Sequence, residues 1–115
     1  MKTIKDLTDE VITFRDQRDW AQFHTPKDLA TSLTLEAAEV AEHFLWKNSN
    51  EVAAHIENHT EELGDELADV LMCVLLMSES FKIDLVQAFE RKMEKNRAKY
   101  PTDKARGTHK KYTQI

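Results

Sequence analysis

Between Pro26 and Pro101 the chain has no proline, and the only glycine in that stretch is Gly64. These two residues are the strongest interrupters of helices, so a long segment almost free of them is best read as helical. No apolar/polar alternation of strand type and no hairpin turn pair competes with that reading. The expected fold class is therefore all-α. At 115 residues there is room for one domain with one core. A hydrophobic content of 41% beside 32% charged residues fits a soluble globular chain.

Four main helices are predicted. The first runs from about Thr3 to Trp20, with Thr3 as its N-cap. "FHTPKD" ends it and opens the second, with Pro26 in the first turn and an end near Lys47. After the polar break "KNSN", a third helix covers about Glu51 to Phe81, with a bend or split near Gly64 or earlier. Asp84 caps a fourth, which ends near Tyr100. Residues 1–100 form the helical domain, and residues 101–115 are expected to be a basic, extended tail.

Charge and apolar runs narrow the function classes. The net charge is −5, which argues against nucleic acid as a partner. The longest apolar run, "VLMCVLLM" at residues 70–77, is too short to span a bilayer. The N-terminus "MKTIKDLTDE" is too charged for the apolar core of a signal peptide. One cysteine, Cys73, excludes an intrachain disulfide and agrees with a cytoplasmic setting.

Carboxylates sit unusually close to the apolar faces. With Glu36 at zero on a helical wheel, Leu29, Val40, Leu33, Phe44 and Ala37 fall between roughly 20° and 100°. Glu36 borders that stripe, and Glu39 and Trp46 lie on its flank near about 300° and 280°. With Glu66 at zero, Met77, Val70, Leu63, Val74 and Leu67 occupy the same roughly 20° to 100° arc, and Asp69 lies near about 300°. If the two helices pack antiparallel through these stripes, Glu36, Glu39, Glu66 and Asp69 line one pocket. Four carboxylates together repel one another unless a cation offsets them. Mg²⁺, a hard ion that prefers oxygen ligands, fits that need. Glu62 and Asp65 also match the ExxD spacing. They lie further from the stripe, so Glu66 and Asp69 are preferred, with Glu62 close enough to be a fifth acidic group.

The ExxE pair, a spacer and the ExxD pair on helices resemble the MazG-like nucleoside triphosphate pyrophosphohydrolases. "RDWAQFHTPKDLATSLTLEAAEVAEHFLWK" and "KMEKNRAKYP" extend the resemblance to the dCTP pyrophosphatase branch of that family, over about Phe14 to Tyr112. The resemblance implies a helical bundle assembled as a homotetramer, or dimer of dimers. It also implies cleavage between the α- and β-phosphates, with Mg²⁺, to a monophosphate and pyrophosphate. Glu36, Glu39, Glu66 and Asp69 would bind metal. Trp20, Gln22, Phe23, His24 and Trp46 would line the nucleoside pocket, and Lys92, Asn96, Lys99 and Tyr100 would contact phosphate. Glu39 is the candidate for activating water. The implied role is clearance of unwanted deoxynucleotides, with dCTP or a modified relative among the better substrates. Two departures bear on selectivity. Val11 stands where the vertebrate branch has a histidine, and Cys73, also expected to line the pocket, stands where it has a tyrosine.

Other chemistries fit the sequence less well. Di-iron bundles use ExxH motifs, and none of the five histidines has Glu three residues before it. "HIENH" is not HExxH, and His55 and His59 read as a surface pair. No base or cation is evident beside Cys73 to lower its pKa, so it reads as a small lining residue and not a nucleophile. The alternative function is a non-catalytic helical oligomer or adaptor whose acidic faces are merely solvated.

Overall fold

The computed structural model describes residues 1–115 and contains helices and no strands. The chain divides into two compact units, Met1–Lys82 and Ile83–Ile115. No helix is long and apolar enough to cross a membrane.

In the first unit, α1 spans Ile4–Gln17. Thr3 caps it through a capping box with Asp6, satisfying two otherwise orphaned backbone donors. The helix stops three residues before the expected Trp20. Asp19 takes φ 54, and the N–H groups of Trp20 and Asp19 bond to the carbonyls of Arg15 and Asp16. That is a Schellman ending made with aspartate in place of glycine, one of the few other residues that tolerates the left-handed conformation. A short 3₁₀ turn, Ala21–Phe23, leads to α2, Pro26–Glu42. Thr25 caps α2 and Pro26 occupies its first turn.

Past Glu42, α2 tightens before reaching the expected Lys47. His43, Phe44 and Leu45 bond back three residues, and Trp46 turns the chain with φ 66. Asn48 opens α3, Ser49–Asn58, with its own capping box through Glu51. The predicted third helix is two helices. The break falls at His59, five residues before Gly64, and α4 runs Thr60–Phe81. Gly64 lies inside α4 and does not bend the chain. Four main helices thus become six helices in all once the remaining elements are included.

Helix α4 is central to this unit and packs against α1, α2 and α3. Its contacts with α2 descend in register, from Ser32 opposite Cys73 to His43 opposite Glu66, so the two helices are antiparallel. Leu29 on α2 is buried, and Leu33, Val40 and Phe44 are half-buried, as the wheel requires; Ala37 is exposed. The single stripe expected on α4 is incomplete. Leu75, opposite that stripe, is the most buried side chain, whereas Leu67, placed within it, is 60% exposed. A wheel that assumes one buried face fails on a helix covered from two sides.

The second unit is led by α5, Leu85–Lys99, capped by Asp84 as predicted. The expected extended tail contains a short helix α6, Thr102–Ala105, and a 3₁₀ turn at Tyr112–Gln114. Tyr100 and Tyr112 meet edge to face, and Lys99 lies over the Tyr112 ring. Aromatic and cation–π contacts give the tail local order that charge alone does not suggest.

Candidate metal centre

The two acidic pairs converge. One carboxylate oxygen from each of Glu36, Glu39, Glu66 and Asp69 can be chosen so that all four lie within 4.8 Å of one another. Glu36 and Glu39 are adjacent on α2 because they are three residues apart, and Glu66 and Asp69 are adjacent on α4 for the same reason. Antiparallel packing brings the pairs face to face. Glu39 is the exposed member, and the other three are half-buried. Glu62 is outside the group and acts electrostatically on His55 instead.

The crowding favours the protonated form of two of these carboxyls. The Glu36 carboxyl is raised above its ordinary value, first by burial and then by the charges of Glu39 and Asp69. Glu66 is raised as well, first by the close approach of the Glu39 carboxyl and then by burial, with His43 opposing. Oε2 of Glu36 and Oε2 of Glu66 are both buried without a hydrogen-bond partner. Buried carboxylate oxygens are normally satisfied, so two orphans in one acidic cluster mark a place for a cation. Clustered hard oxygen donors with no thiolate or imidazole among them suit a divalent ion of the Mg²⁺ type.

An open cleft of about 500 Å³ adjoins the cluster, lined by Glu39, Glu42, His43, Lys47, His55 and Glu66. Four of these residues, Glu42, His43, Lys47 and His55, are not among the site residues expected from the sequence. His43 Nδ1 is 2.8 Å from His55 Nε2, and His43 Nε2 is 3.7 Å from Glu66 Oε1. His55 stacks on His59 with ring centres 4.1 Å apart. The two are therefore not the expected surface pair but a half-buried stack, of which His55 lines the cleft beside the acidic cluster. Burial lowers the His55 pKa, assisted by His59, Lys47 and His43. The signal for His43 was present in "AEHFLWK", but its partner lies on another helix, where a single-helix wheel cannot see it.

The other expected site residues are placed as follows. Trp46 stands on the turn after α2 and is 92% exposed. Trp20 and Phe23 are also exposed, with Trp20 edge-on to Phe14. Gln22 is engaged in its own turn, donating to the backbone carbonyl and carboxylate of Asp19. His24 is half-buried with an unpartnered Nδ1. Cys73 is buried in the α2–α4 seam beside Ser32. Val11 lies instead in a groove with Leu71, Met72 and Leu75, on the opposite side of α4. Lys92, Asn96, Lys99 and Tyr100 belong to the second unit, where Asn96 is half-buried and the others are exposed.

The MazG-like family profile matches residues 31–115, nearly three quarters of the chain and all of the acidic cluster, and the chain belongs to that family. It is 36% identical over 115 residues to dCTP pyrophosphatase 1 of Bos taurus, a match covering 98% of this chain and 68% of that one. The human protein of the same name matches with the same identity and coverage. Among solved structures, a pyrophosphatase from Archaeoglobus fulgidus superimposes with a TM-score of 0.81 at 40% identity, covering 88% of this chain and 94% of that one.

Proposed function

We propose that the chain is a Mg²⁺-dependent nucleoside triphosphate pyrophosphohydrolase that clears deoxynucleotides, dCTP or a modified cytosine nucleotide among them. The observation that carries this reading is the tetrad of carboxylates with two orphaned buried oxygens, in a MazG-like chain. Water adds to the α-phosphorus, the α–β bridging bond breaks, and a monophosphate and pyrophosphate leave. Glu36, Glu66 and Asp69, with Glu39, would hold the ion. When bound, the ion supplies neutralisation of the triphosphate and polarisation of a phosphoryl oxygen. Glu39 is the exposed carboxylate and lines the open cleft, so it is the group best placed to take a proton from the attacking water. Lys47 brings an ammonium to the same cleft.

Trp20 and Trp46 would stack on the base, a contact that tolerates several bases. Gln22, Phe23, His24 and Cys73 would complete the nucleoside pocket, with Lys92, Asn96, Lys99 and Tyr100 as phosphate contacts. Cys73 offers only a weak hydrogen-bonding group with which to reject the wrong base or sugar, so selectivity is expected to be broad. Self-association, as a homotetramer, is part of the proposal. Within one chain the buried apolar residues are only Leu29, Cys73 and Leu75, while Phe14, Leu67, Leu71 and Met72 are exposed. The free thiol agrees with a cytoplasmic setting.

The test is pyrophosphate release from dCTP, dTTP, dATP, dUTP and CTP with and without Mg²⁺. Turnover of several deoxynucleotides only with the ion is expected. No release from any of them would refute the proposal and favour a non-catalytic oligomer. A kcat/KM for dCTP above all others by about a thousandfold, the scale reached when a site reads polar groups, would overturn the reading of Cys73.

A further inference from the structure

Two histidines beside the acidic cluster form a directional chain. His43 follows the last turn of α2 and His55 lies on α3. Their facing nitrogens are 2.8 Å apart, so one must donate and the other accept. The second nitrogen of His43, Nε2, faces Oε1 of Glu66 at 3.7 Å. An ionised carboxylate only accepts, so Nε2 carries the proton. With the proton of a neutral His43 on Nε2, its Nδ1 accepts and the Nε2–H of His55 donates to it. The far oxygen of Glu66, Oε2, is the buried one with no partner. His55 is itself held, stacked on His59 and edge-on to Phe44 with ring centres 6.0 Å apart. The separation of 3.7 Å exceeds a made hydrogen bond, and contacts of this type tighten when a site is engaged.

We propose that His43, oriented by His55, is a positioning residue for Glu66: it turns the carboxylate so that Oε1 faces an imidazole N–H and Oε2 is left for a divalent cation. This rests on the reading of the tetrad as a metal centre. It gives α3 a task, since α3 brings in the residue that sets the His43 tautomer. Fixing the orientation of a metal-binding side chain through its outer partners commonly changes affinity by about 10- to 100-fold.

The experiment is Mn²⁺ binding to the full chain without nucleotide, followed by the electron paramagnetic resonance of the free ion, with folding checked by circular dichroism. His43→Leu is expected to weaken binding by about 10-fold or more. His43→Gln, which keeps an N–H near the position of Nε2, should recover part of the loss. His55→Phe should weaken binding less than His43→Leu does. The double variant His43→Leu/His55→Phe should bind no more weakly than His43→Leu alone, because His55 acts through His43. Wild-type affinity in folded His43→Leu would overturn the proposal, and so would additive losses in the double variant. Should His43→Leu not fold, His55→Phe decides, and unchanged affinity there would overturn it. Failure of the wild-type chain to bind Mn²⁺ would break the metal reading itself, a separate and distinguishable result.

Discussion

The two sides of α4 are unfinished in opposite ways. Toward α2 it presents Glu66 and Asp69, half-buried and crowded by like charges, with one oxygen of Glu66 orphaned. Toward α1 it presents Ala68, Leu71, Met72 and Leu75 along a groove of about 410 Å³ shared with Leu7, Val11 and Phe14, much of it open to solvent. One side is crowded with negative charge and the other is short of apolar cover. One helix can carry two separate features, clustered carboxylates toward one neighbour and an open apolar groove toward another.

The largest expected effect separates the two sides. Glu66→Gln and Asp69→Asn should each lower kcat by at least about a hundredfold, the scale on which preorganised electrostatic groups act. Folding should be retained, since each change removes repulsion. Near-normal turnover in both variants, measured by pyrophosphate release, would remove the functional distinction between the sides. A smaller effect is expected opposite. Met72→Glu places a charge in the apolar groove and should weaken self-association by about tenfold or more, because a charge resists leaving water without a partner. Sedimentation across a concentration series would show it, and an unchanged oligomer would mean the groove is not the contact.

The smallest effect concerns pH. Glu36 and Glu66 are raised above 4.5 in the folded chain. Between that ordinary value and the raised one, the folded state holds more protons than the unfolded state, so their contribution to stability falls as pH rises. The metal-free protein should therefore gain stability through these groups as pH is lowered from neutral toward 4.5. Glu36→Gln should lose part of that gain, measured as the difference in melting midpoint between variant and wild type at each pH. Parallel curves for the two would sink the assignment.

Much of the α2 side was legible in the sequence because its information is local. Residues three apart on a helix share a flank, so spacing pairs Glu36 with Glu39, and spacing together with the edge of the apolar stripe selects Glu66 with Asp69 over Glu62 with Asp65. The N-caps Thr3 and Asp84 and the first-turn Pro26 were legible for the same reason. What escaped depends on contacts between helices. The break at His59 has neither glycine nor proline to announce it, and it sits where His55 and His59 stack. The burial of Leu75 follows from α4 being covered on two sides, which no single wheel contains. The early ends of α1 and α2 use Asp19 and Trp46 at positive φ, positions that glycine would have flagged.

The buried Cys73 is the only thiol in the chain, and it lies in the same α2–α4 seam as the carboxylates. A thiol reagent must wait until that seam parts. The rate of Cys73 labelling is therefore a clock for local opening between α2 and α4, read without any engineered probe. An ion that ties the two helices together should slow that clock. The chain thus carries an internal timer for how often its two acidic pairs come apart.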